Sequence, residues 1–187
     1  MAQSVDTPPV VGEEFRAYIA KIHTALGDRD PMEVLRETPA LVRRAAAGLS
    51  VEQLSARERP GKWSVRHVLR HLADAEIVGA FRYRMVLSHE RPELPAYDQD
   101  LWANRMRYEE SDPEESLALF TAVRESNLRL IGRARPEERR RAMRHSERGD
   151  ETIEETLRLY GGHDMVHRRQ IARIRAAIGA PLPDAPA

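Results

Sequence analysis

Four times along this chain of 187 residues a capping residue opens a long run of helical period, and that punctuation limits the fold more than any other feature. Asp30-Pro31 and Asp112-Pro113 each set a carboxylate at the N-cap before a proline at the first helical position, where its missing N–H costs nothing. Ser64 opens a third run, and Thr152 opens the fourth with Glu155 three residues on as its capping-box partner. The spacing predicts helices over about 31–47, 64–88, 112–133 and 152–178, preceded by a shorter one over about 13–26 that stops at Gly27.

Smaller signals fill the intervals. Glu33 is placed to complete a capping box with Asp30, and Thr38-Pro39 repeats the start signal, so this stretch is either two short helices or one helix kinked at Pro39. Ser50 to Ser55 reads as one more helical turn. Residues 89–111, with Pro92, Pro95, Asp98 and Asp100, are too long for a tight turn and read as a crossover that carries a short helix near Asp100 to Arg107. No strand alternation stands out. The fold class expected is all-α, a four-helix bundle with a long crossover between its second and third core helices and an extra N-terminal helix. Residues 13–180 form the single domain, 1–12 a loose arm and 181–187 a tail.

Composition narrows the partners. With 41% hydrophobic, 32% charged and only 5% aromatic residues, the chain suits amphipathic helices better than half-buried strands. Thirty basic and thirty acidic residues cancel, so no global field draws the chain to nucleic acid or an anionic membrane, and the basic run Arg139 to Arg141 reads as a solvated face. No window approaches the ~20 apolar residues of a membrane span, and the opening lacks a basic stretch followed by an apolar one. A cytoplasmic protein without nucleic-acid or membrane partners is expected. Without cysteine there is no disulfide and no protein thiol, so any thiol chemistry must use a thiol that a substrate brings.

Histidines carry the functional signal. On a helix turning about 100° per residue, His163 and His167 share a side with Thr156, Tyr160, Ile171 and Ile174, whereas Arg168, Arg169 and Arg173 point elsewhere. Spacing of i,i+4 on an apolar stripe is the geometry two imidazoles need to bind one ion. The bland alternative is two core histidines satisfied by ordinary hydrogen bonds. A third ligand should come from the helix after Trp63. There His71 faces the apolar side with Leu72 and Ala75, while His67 leans towards Arg70 and Asp74 and reads as an exposed helix histidine, a fourth ligand being the alternative. His23, His89 and His145 receive no role.

Together with these positions, the stretches Pro60 to Glu76 (PGKWSVRHVLRHLADAE), Arg91 to Ala103 (RPELPAYDQDLWA), His145 to Thr152 (HSERGDET) and Gly162 to Ile171 (GHDMVHRRQI) resemble the DinB/YfiT-like family of metal-dependent bundle proteins. The resemblance implies an up-down-down-up bundle with a metal bound by one histidine of the second core helix and two of the last, which are His71, His163 and His167 here. It also implies transferases or isomerases that use low-molecular-weight thiols, beside members of unknown activity.

Three neutral imidazoles leave an ion's double charge uncompensated and a coordination position open, as in catalytic rather than structural sites. The expected cofactor is a divalent metal, zinc first, with nickel, manganese or iron as alternatives, and a low-molecular-weight thiol as cosubstrate. The leading function is therefore a metal-dependent transferase or isomerase that activates a thiol for attack on a small-molecule substrate. A small-molecule amide or ester hydrolase, in which His163-Asp164-x-x-His167 echoes H-E-x-x-H, is the alternative. A metal-binding stress protein without turnover, or a homodimer through a helix face, is the third. Weaker catalytic candidates are Asp74 and Asp164, along with Arg82, which lies three turns along the His71 face and could bind a substrate carboxylate. Gly161-Gly162 beside His163 costs a helix roughly 1 kcal/mol each, which implies a close helix approach or room for a ligand.

Overall fold

Asp30, Ser64, Asp112 and Thr152 each stand at a helix start in the computed structural model, which describes residues 13–182. The arm expected over 1–12 and the last residues of the expected tail, 183–187, lie outside the described residues. Helix α1 spans Glu13–Leu26, α2 Pro31–Ala46, α3 Val51–Ser55, α4 Val65–Ser88, α5 Gln99–Arg105, α6 Pro113–Arg133, α7 Pro136–Arg139 and α8 Ile153–Ala177. Asp112 accepts from the amides of Glu114 and Glu115, and Thr152 and Glu155 form the reciprocal box. At α2 the cap is made by Asp30 alone, which accepts from Met32 N, and not by the pair with Glu33.

Pro39 neither divides α2 nor ends it. A proline inside a helix frees the carbonyl four residues earlier, and that carbonyl, Leu35 O, accepts a hydrogen bond of 2.9 Å from the buried guanidinium of Arg124 on α6. Tertiary structure thus uses the acceptor that the break releases.

Side-chain pairings fix the directions of the four core helices. Glu76 and Arg84 of α4 meet Arg124 and Asn127 of α6, in the same order along both, so the two run parallel. Against α8 the order inverts, with Ala75 bonded to Tyr160 and His71 beside His163 and His167, so α4 and α8 are antiparallel. Pro31 lies against Gly161 and Ala45 against Arg175, which makes α2 and α8 parallel. The bundle is up-down-down-up. Parallel α4 and α6 cannot be joined by a tight turn, and residues 89–112 cross its length with α5 and a 3-10 turn, Tyr108–Glu110.

That connection also corrects the strand-free expectation. Strand β1 (Glu93–Leu94) pairs parallel with β2 (Ala142–His145), which pairs antiparallel with β3 (Gly149–Thr152). With two to four residues each, the strands are too short to show an alternation, and they form where the start of the crossover meets the link after α7, at the shared C-terminal end of α4 and α6. Two apolar clusters fill the bundle, one around Val68, Leu72, Phe120 and Ile171, the other around Leu35, Tyr83, Ile131 and Leu157. Between them lies a polar layer of Glu76, Arg124, Asn127 and Asp164, all buried.

Helix α1 packs on the outside of α8, and the glycine pair permits it. A Cβ on Gly162 would stand 2.2 Å from Ile22 O, so this glycine marks a close helix approach. Gly162→Ala is expected to destabilise the protein by about 1–3 kcal/mol, because the clash with backbone outweighs the helix propensity gained. An unchanged urea midpoint would contradict this packing. Among the described residues no helix is long and apolar enough to cross a membrane.

Candidate metal centre

Helices α4 and α8 bring three imidazoles to one point. The Nε2 atoms of His71 and His163 are 3.0 Å apart, and those of His163 and His167 are 3.1 Å apart. One ligand nitrogen from each ring falls within 4.8 Å of the others. Bonds of ~2.0–2.1 Å to a shared ion, at right-angled to tetrahedral geometry, put donor atoms ~2.8–3.4 Å apart, so this donor set fits a divalent metal. Ordinary hydrogen bonding fits it less well. His163 Nε2 faces two other ring nitrogens, and His71 Nδ1 is buried with no hydrogen-bond partner.

Neighbouring groups prepare the rings for ligation. Gln170 Oε1 lies 2.8 Å from His167 Nδ1 and accepts a hydrogen bond from its N–H, which leaves the Nε2 lone pair free for the centre. Trp63 covers the site, its ring 4.9 Å from that of His71 and nearly parallel to that of His167. Burial holds His71 and His163 well below the usual imidazole range, His71 with help from His167, and His163 with help from His167, His71 and Arg124. His167 is pushed down to about 4, mainly by burial and less by Lys21. All three are neutral at pH 7, the state in which imidazole binds metal.

A pH dependence follows. For a buried histidine whose folded pKa is depressed, the unfolded chain binds the extra proton first, so the stabilisation is complete above the unfolded pKa and is lost on acidification. For His167 the window runs from 6.5 down to about 4 and is worth on the order of 3 kcal/mol. The urea midpoint of metal-free protein is expected to fall steadily across that window. A flat profile between pH 7 and 5 would rule this out.

The carboxylates proposed from sequence serve elsewhere. Asp164 receives Arg124 at 2.7 and 3.1 Å, while Glu76 receives the same guanidinium at 2.8 Å and Asn127 at 2.7 Å. Asp74 accepts from Arg70 and from the Tyr108 hydroxyl. Neither Asp74 nor Asp164 joins the imidazole cluster, so the likeness to H-E-x-x-H does not extend to a base. His67 is a further correction: it is 5% exposed rather than solvated. Ser64 Oγ lies 2.8 Å from its Nδ1 and Arg57 donates to its Nε2, because the segment after α3 folds back over the start of α4.

A cavity of about 480 Å³ opens beside the cluster, with His163 in its lining. Its walls come from α1, α4, α8, the crossover and the β2–β3 hairpin. Arg82 stands in the wall, buried. Tyr97, His145, Arg148 and Tyr160 also line it and were not singled out from sequence. The signal for three of them was present, since Tyr97, His145 and Arg148 fall within stretches that carry the family resemblance.

Residues 35–171 match the sequence model of the DinB superfamily. YfiT of Bacillus subtilis, provisionally named a metal-dependent hydrolase, is 29% identical over 149 residues, covering 79% of this chain and 84% of its own. A Bacillus licheniformis protein with the same provisional name is 32% identical over 146 residues, 78% of this chain and 83% of its own. The solved structure of Bacillus subtilis YfiT, described as a probable metal-dependent hydrolase with an unusual four-helix bundle topology, superposes with a TM-score of 0.74. It covers 95% of this chain and 94% of that one at 24% identity, which bears on the fold.

Proposed function

The chain belongs to the DinB superfamily, and we propose that it is a metal-dependent enzyme that joins a low-molecular-weight thiol to an electrophilic small molecule at His71, His163 and His167. One observation carries this reading: the cluster reaches a cavity through His163 but contains no carboxylate, because the buried acids nearby are held by Arg124, Asn127, Arg70 and Tyr108. A water nucleophile would profit from a base and its leaving group from an acid, whereas a thiol needs only to lose its proton. When bound, a divalent ion supplies the Lewis acidity that lowers the pKa of a thiol or of water. The side chains do the rest. The three histidines orient the centre, Gln170 fixes the tautomer of His167, and Trp63 with Tyr160 keeps bulk water from one side. In the transfer the S–H proton goes to solvent, the S–C bond forms, and the leaving group departs with its electron pair.

Hydrolysis of a small amide or ester is the second reading, favoured by the provisional names of the Bacillus relatives. The two separate cleanly. Protein purified without a histidine tag is loaded with zinc, nickel, manganese or iron and offered thiol-plus-electrophile pairs beside simple esters and amides. Turnover that requires both metal and thiol supports the first reading. Metal-dependent turnover without thiol establishes the second, and no turnover with any metal removes both.

A further inference from the structure

Arg82 is 4% exposed and makes no ion pair among the described residues. A buried guanidinium is costly to keep without an anion. Its hydrogen bonds are weak compensation. Nη2 donates to Pro95 O at 3.2 Å and lies 3.0 Å from His145 Nε2. His145 cannot satisfy it fully. The backbone N–H groups of Glu147 and Arg148 point at Nδ1 of the same ring, at 3.2 and 3.4 Å. A neutral imidazole offers one lone pair, so donors on both nitrogens exceed what it can accept. Protonation does not help, because the cation has no lone pair to give, and burial with Arg148 and Arg82 nearby pushes the ring down to about 3.

Arg148 adds a second unspent donor. Its Nε bonds to Glu151, and its buried Nη2 has no acceptor. Both arginines line the cavity that reaches His163. The acids that share this lining, Asp98, Asp100 and Glu147, are exposed at its rim, and Asp98 is already engaged by the amides of Asp100 and Leu101. Arg148 is paired with the buried Glu151, so Arg82 is the cation in this wall without an anion, and the acids of the lining itself stand in water outside it.

We propose that this cavity is the binding site for a carboxylate-bearing small molecule, whose carboxylate is taken by Arg82 with Arg148 as a second contact and whose other end reaches the three histidines. The planar fork of a guanidinium matches a carboxylate in two parallel hydrogen bonds. Ala75, Tyr160 and Ile22 supply apolar wall between the two ends. That the far end is the reacting end rests on the function proposed above, while the carboxylate site does not.

The test uses full-length protein loaded with cobalt(II) and titrated with 3-mercaptopropionate or with 3-mercapto-1-propanol, its uncharged counterpart, following the sulfur-to-cobalt absorption. Half-saturation is expected at least tenfold lower for the carboxylate. That preference should fall below twofold in Arg82→Met, to an intermediate value in Arg82→Lys, and by about threefold in Arg148→Met. Equal half-saturation in wild type, or a preference unchanged in Arg82→Met, overturns the proposal. Should Arg82→Met fail to fold, Arg82→Lys and Arg148→Met decide in the same way. A second arm titrates metal-free protein with glutarate, glutaramide and inorganic phosphate by calorimetry. Glutarate binding that Arg82→Lys weakens supports the site even if no cobalt–sulfur band ever appears, an outcome that would remove only the thiol reading. Phosphate binding more tightly than glutarate, or no glutarate binding, counts against a carboxylate site.

Discussion

His163→Ala is expected to abolish metal retention and, with it, all metal-dependent turnover. His163 is the ring whose Nε2 lies within 3.1 Å of both others, so its loss leaves two nitrogens that no longer enclose a point. Removing an outer hydrogen-bond partner of a metal ligand typically costs roughly 10–100-fold in affinity, and removing the ligand itself costs more. Zinc per chain after gel filtration should drop from near one to near zero, while the helical circular dichroism persists. The protein should still fold, because the ring is not among the buried apolar residues that fill the bundle. Full retention of metal by His163→Ala would refute the centre described here.

Arg124→Met is expected to produce the largest loss of stability, roughly 3–5 kcal/mol. This guanidinium is the common partner of Glu76, Asp164 and the carbonyl of Leu35, and all three stay buried when it goes. For a chain of this size each kcal/mol moves the thermal midpoint by about 2–4 °C, so a fall of roughly 10 °C should be seen. The harm comes from stranded carboxylates rather than from a missing attraction. Replacing all three side chains together, with Glu76→Leu, Arg124→Met and Asp164→Leu, should therefore recover much of the loss, although Asn127 and Leu35 O keep an unmet need. If Arg124→Met matches wild type in urea, the polar layer is not what ties the four helices at this level.

How much of this was legible in the sequence depended on whether the signal was local. Caps are local, and Asp112, Thr152 and Ser64 marked the starts of α6, α8 and α4 to the residue. Helical period is local too, so the shared face of His163 and His167 and the inward side of His71 could be computed from spacing. Whatever depended on a distant partner was hidden. Asp164 and Asp74 looked available because nothing near them in sequence announces Arg124 or Tyr108. His67 looked exposed because its cover, Arg57, arrives from the segment before its own helix. Pro39 looked like a break because the arginine that takes up the freed carbonyl, Arg124, belongs to α6, far along the sequence. The three strands are shorter than the window in which alternation can be recognised.

The parallel course of α4 and α6 has a further consequence. It obliges the chain to travel the length of the bundle between them, and the travelling segment forms one side of the cavity through Ala96, Tyr97 and Gln99. The imidazoles sit on α4 and α8, outside that segment. Arg82 shares α4 with His71, whereas the crossover contributes cavity wall without carrying any of the three histidines. A redesign could exchange the crossover to admit a different molecule while leaving the metal-bearing scaffold intact.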